Sequence, residues 1–167
     1  MKKILLFTLI LCIATACQRQ DPSSYPRWVG DIAHDPLQDD TGFEACDEDN
    51  ARQYFNFNMG FQYKGEKPAL VRAFERAYEP ATAKKESGLI RIRFMVNCRG
   101  QAGRFRIIGM DEEYQEKTFD TSITNQLLTI TKSLDGWMVM SDQNTPLDYY
   151  LYLIFKIKDG AIVEIIP

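Results

Sequence analysis

The sequence predicts an α+β domain in which two helices pack on one face of a mainly antiparallel sheet. Three observations lead there: two stretches carry apolar residues at helical spacing, several others alternate apolar with polar, and an Asp-Gly pair joins the last two β-rich runs. With 167 residues, 45% hydrophobic and 26% charged, the chain suits one globular unit.

At the N-terminus, Lys2 and Lys3 precede an apolar run over residues 4–16, shorter than the roughly 20 residues a membrane-spanning helix needs. A secretory leader fits that length. The run closes on Ala14-Thr15-Ala16-Cys17, and Gln18, Arg19, Gln20, Asp21 and Pro22 follow. This pattern resembles a bacterial lipoprotein signal, although Ala14 stands where leucine is usual. The resemblance implies a signal peptide over residues 1–16, removed to leave Cys17 as an acylated N-terminus and lipid anchor. An ordinary cleaved leader with an incidental cysteine is the alternative. Gln18 after Cys17 resembles outer-membrane sorting, so the expected location is the outer membrane, with the domain facing the periplasm.

Residues 17–50 read as a polar tether, punctuated by Pro22, Pro26 and Pro36 and poor in periodic apolar positions. Asp47-Glu48-Asp49-Asn50 lacks the glycine and distal glutamate of a calcium loop, so a solvated acidic linker is expected. The folded domain is then expected over residues 51–167. Phe55, Phe57, Met59, Phe61 and Tyr63 alternate as a half-buried strand would. From Lys67, with Pro68 in the first turn, Leu70, Phe74 and Tyr78 repeat every four residues, which predicts a helix stopped by Pro80.

Ile90, Ile92, Phe94, Val96 and Cys98 alternate with Arg91, Arg93, Met95 and Asn97, and after a turn over residues 99–103 a second alternating run holds Phe105 and Ile107. The two predict a hairpin. Phe119, Ile123, Leu127, Ile130 and Leu134 mark a second amphipathic helix, with Gly136 expected as its C-terminal cap. Tyr149, Leu151, Leu153, Phe155 and Ile157 share one face of a long strand, and Asp159-Gly160 should turn the chain back through residues 161–166.

Loss of Cys12 with the leader and acylation of Cys17 would leave Cys46 and Cys98, which an oxidising compartment favours pairing. Their bridge would close a loop of 52 residues and contribute about 4 kcal/mol in the loop-entropy description. Two separate thiols are the alternative. No cofactor or metal is expected, because His34 is the single histidine and has no matching ligand spacing. The same isolation leaves nucleophilic catalysis without a base in the folded region, and adjacent Glu112 and Glu113 would diverge on extended backbone, so the chain is not expected to be an enzyme. With 20 basic and 23 acidic residues it lacks the positive excess that general nucleic-acid binding requires.

The element order and several local patterns resemble the TonB C-terminal domain, over roughly residues 61–158. They are Gly88-Leu89-Ile90-Arg91-Ile92-Arg93-Phe94-Met95-Val96-Asn97, Gly100 in the hairpin turn, Trp137 closing the second helix, Pro146, and the final strand through Tyr152 and Phe155. The resemblance implies a TonB/TolA C-terminal-like fold and a periplasmic domain whose last strand accepts a peptide from an outer-membrane receptor or another envelope protein, in TonB-dependent transmembrane transport. A transducer of that type also requires an inner-membrane helix and a proline-rich stalk, which these residues do not contain, and Trp137-Met138-Val139 lacks the family's proline. A structural envelope adaptor that kept the fold without receptor binding is the second expectation. Residues 161–166 would fold onto the strand edge that the family leaves exposed.

Candidate partner-binding residues are therefore Tyr149, Tyr150, Leu151 and Tyr152 on the last long strand. Arg91, Arg93, Arg104 and Arg106 join them, expected on the sheet face opposite the helices with Tyr150 and Tyr152. The plainer reading of that face is a solvated surface with cross-strand charge pairs, and of Trp137 a core anchor. Oligomeric state is not legible in the sequence.

Overall fold

The computed structural model describes residues 32–54 and 60–166; the leader, Cys17 and residues 55–59 of the expected first strand lie outside them. In chain order the elements are β1 (Arg52–Gln53), α1 (Glu66–Ala77), β2 (Gly88–Val96), β3 (Ala102–Met110), α2 (Thr121–Ser133), β4 (Met140–Asp142), β5 (Thr145–Leu147), β6 (Tyr149–Lys158) and β7 (Ala161–Ile166). The α+β expectation holds, with two helices and a mainly antiparallel sheet.

The β2–β3 hairpin forms where alternation placed it, and β6 lies antiparallel along the other side of β2, from Gly88 opposite Ile157 to Val96 opposite Tyr149. The far side of β6 is shared: β1 pairs parallel at Tyr149 and Tyr150, and β7 pairs antiparallel between Ile154 and Lys158. Asp159 and Gly160, at φ 51° and 77°, make the tight β6–β7 turn, whose mirror-image backbone matches the twist of the strands.

Alternation delivers Ile90, Ile92 and Phe94 of β2, and Leu153, Phe155 and Ile157 of β6, to the core shared with both helices. Leu70 and Phe74 of α1 and Ile123, Leu127 and Ile130 of α2 meet them there. The N-terminus of α2 is capped by Asp120, whose carboxylate accepts from the Ser122 amide at 2.9 Å. Trp137 is a core anchor, 5% exposed, with its ring 4.9 Å from those of both Tyr63 and Phe94.

Three expectations are corrected. Residues 32–50 are not a free tether: Ile32 is buried against Met95 and Tyr150, and Phe43 packs beside them. Apolar anchors and ion pairs spread thinly through a polar segment hold it as a strap across the sheet. The folded unit therefore begins before residue 51. Phe61 and Tyr63 continue no strand; Tyr63 makes an isolated bridge to Trp137, and its aromatic ring is spent on the core. Gly136 does not cap α2, which ends on Leu134 in extended conformation; a Cβ on Gly136 would meet the Tyr63 ring, and its carbonyl accepts from the Lys64 amide. The expected bridge forms: Cys46 and Cys98 are a disulfide with Cα atoms 6.0 Å apart.

Candidate functional site

The four arginines do share the sheet face opposite the helices, and the strap occupies half of it. Arg93 and Arg106 are cross-strand partners, Tyr152 lies opposite Arg93, and Tyr150 lies opposite Met95. Between Arg93 and Met95 the β2–β3 register shifts by a bulge, with Arg104 at φ 55°. A bulge re-aims a side chain, and here it sends the buried guanidinium of Arg104 against both carboxylate oxygens of Glu48, at 2.5 and 2.7 Å. Arg104 also donates to the Ile32 carbonyl at 3.3 Å.

Arg106 reaches Asp39 at 2.6 and 3.2 Å and the Ala33 carbonyl at 2.9 Å. Burial alone would raise the Asp39 carboxyl, but the hydrogen bonds from Arg106 and the Asp35 amide, with the arginine charge, bring it down to about 2. The Arg104 guanidinium likewise holds Glu48 below its ordinary value. His34 Nδ1 lies 3.0 Å from Asp39 Oδ2 at the rim of this pair. Arg104 and Arg106 of β3 are thus both satisfied by carboxylates of the strap.

Asp148, fully buried at the start of β6, fastens the strap to the hairpin. Its carboxylate accepts from the backbone amides of Cys46, Asp47 and Cys98 at 2.7, 2.8 and 2.8 Å, so both half-cystines hang from one side chain. Cys46, Cys98 and Asp148 form a compact cluster of metal-ligand types. Its chemistry is spent: the sulfurs are bonded to each other, and the carboxylate is engaged by three amides.

The remaining candidates divide in the same way. Tyr149, Tyr150 and Leu151 are buried, and the Tyr149 hydroxyl donates to the Met138 carbonyl at 2.8 Å. Burial pushes that phenol up, so it stays a neutral donor. Tyr152 is half-buried under the Arg91 guanidinium, 4.4 Å from its ring centroid, with the Tyr54 ring edge-on at 5.8 Å. Cys17 lies outside the described residues, and no helix among them is long and apolar enough to cross a membrane.

A feature missed by the sequence reading lies on the helix side of the sheet, where β7 and α1 flank a groove of about 330 Å³. Val71, Phe74 and Tyr78 line its α1 wall and Val163 its β7 wall, with Glu75 and Glu164 in the lining. Among the described residues β7 pairs only with β6, so its outer edge carries unpaired backbone groups, and Val163 is 53% exposed. The groove is built rather than incidental. The Tyr78 hydroxyl and the Ala81 amide both donate to the Gly160 carbonyl, at 2.8 and 3.0 Å, clamping the β6–β7 turn to the end of α1. The sequence signal was Val71 beside Leu70, which widens the apolar stripe of α1 towards the groove.

By contrast, the outer edge of β3 is covered at its C-terminal end. Residues 115–117 bond back onto residues 109–111 there, while at Gly103 the Phe43 ring packs flat on the sheet face, where a Cβ would collide with it.

Comparison with family models, curated proteins and solved structures returned no match.

Proposed function

We propose that this protein is a non-catalytic envelope lipoprotein, anchored by acylated Cys17 at the outer membrane, whose periplasm-facing TonB-like domain binds an extended segment of another protein by strand addition. The observation that carries this reading is the open edge of β7 beside a preformed apolar groove. Strand addition needs unpaired backbone groups for affinity and neighbouring pockets for alternate side chains, and β7 with α1 offers both. The lipid anchor rests on residues 14–18 of the sequence and the periplasmic placement on the Cys46–Cys98 disulfide. TonB-dependent transport is the setting in which a domain of this kind would meet a receptor segment.

A second reading is favoured by one specific observation. In the TonB family the last long strand accepts the peptide, whereas here β1 and β7 flank β6 at both ends, and its tyrosines are largely buried. That arrangement suits a structural adaptor that kept the fold without receptor binding. The two readings separate by photo-crosslinking in intact envelopes, with a benzophenone side chain at position 163 or, as a control, at Glu113. Strand addition predicts a discrete adduct with an envelope protein from position 163 alone, mapped to one contiguous segment of the partner. Adducts from neither position, with the protein still in the membrane fraction, would favour the adaptor.

A further inference from the structure

The chemistry of the groove identifies what kind of segment it takes. We infer that the β7–α1 groove recognises an extended peptide that alternates apolar residues with lysine or arginine. This inference rests on the strand-addition reading above and adds the charge of the partner. The apolar half follows from Val71, Phe74, Tyr78 and Val163, which offer a dry wall to every second residue of an added strand.

The basic half follows from Glu75 and Glu164, the two charged residues of the lining. Neither is in a salt bridge among the described residues. Lys156 lies across from Glu164 in register on β6, yet its ammonium is not within ion-pair distance. Two exposed carboxylates without an ion pair among the described residues thus flank the open strand edge, Glu75 on the α1 side and Glu164 on the outward face of β7 that it shares with Lys156. An added strand would set a side chain directly opposite Glu164, where a cation is favoured and an anion disfavoured.

A second copy of this chain is a poorer occupant for the same reason. Antiparallel self-pairing of β7 in the register centred on Glu164 would place that carboxylate opposite its own counterpart. The other strand positions are alanine, isoleucine and valine, which supply no compensating cation.

The test uses the full chain in detergent with short peptides, blocked at both ends, that alternate valine with lysine, with glutamine or with glutamate. Hydrogen exchange locates binding and titration measures it. The lysine peptide should slow exchange at residues 161–166 and bind about tenfold more tightly than the glutamate peptide, the sum of a few cross-strand charge terms. Raising salt from about 0.05 M to about 0.5 M should erode that preference. The paired substitutions Glu75→Gln and Glu164→Gln, near-isosteric at exposed positions, should reduce it to about threefold or less while the glutamine peptide binds as before.

Equal protection of β7 by all three peptides would overturn the basic-partner inference and leave strand addition standing. Protection of β7 by none of them, with the fold intact, would overturn both. Slow exchange of β7 in the free chain together with a concentration-dependent mass would assign the edge to a second copy and overturn the inference.

Discussion

Asp148 shows how one side chain can hold distant parts of a chain together. Three backbone donors converge on a fully buried carboxylate, and a buried donor left without an acceptor costs about 1–3 kcal/mol. Asp148→Asn keeps the volume but replaces one acceptor oxygen with an NH₂ facing amides. It should lower stability by about 2–3 kcal/mol, read as a fall in the denaturation midpoint with an unchanged slope. Asp39 gives the strap a pH dependence of definite sign. Its folded value of about 2 lies below its ordinary 3.8, so the stability it contributes is complete above the higher value and is lost as pH falls through the lower one. Glu48 acts in the same direction. Melting temperature should therefore drop between about pH 4 and about pH 2, and Asp39→Asn should flatten that drop. An Asp39→Asn profile as steep as that of the parent would place the acid sensitivity elsewhere.

At the scale of elements, the β6–β7 hairpin positions everything proposed for the groove. Gly160 sits at φ 77°, and a Cβ there would collide with the Ala81 carbonyl, the same region whose amide bonds to Gly160. Gly160→Ala should cost about 1–3 kcal/mol and raise exchange rates first in β7, while β2 and β3 keep theirs. Both helices, the β2–β3 hairpin, β6 and β7 were legible because their signals are local: periods of 3.6 and 2 and a turn dipeptide. The strap was not legible, because the contacts that order it are long-range. Asp39 meets Arg106 and Glu48 meets Arg104 across 67 and 56 positions. A polar stretch ordered by such pairs has the same composition as a linker. The β4–β5 hairpin escaped for another reason: strands of three residues are too short to display alternation, and only Gln143-Asn144, both at positive φ, marked its turn. The arginine face was read correctly as a face, but its occupant could not be read, since nothing near Arg104 or Arg106 in sequence announces Glu48 or Asp39.

At the scale of the whole molecule, the sheet is covered on both sides, by helices on one and by the strap on the other, and the disulfide locks the strap to the β2–β3 turn. Closing a loop of 52 residues, the bridge should contribute about 2–4 kcal/mol, so Cys98→Ala is expected to lower the melting temperature of exported protein measurably. Cys17→Ser should move the protein from the membrane fraction to the soluble one, since no described helix can span a bilayer. The surface is divided: the strap closes the Arg104 and Arg106 part of the arginine face, and the edge of β7 is open. Residue-resolved hydrogen exchange on the free full chain tests that division most directly. The amides of Cys46, Asp47 and Cys98, held by Asp148, should exchange as slowly as the core of β2, whereas the outward amides of β7 exchange quickly. Fast exchange at Cys46 and Asp47 together with slow exchange throughout β7 would contradict it.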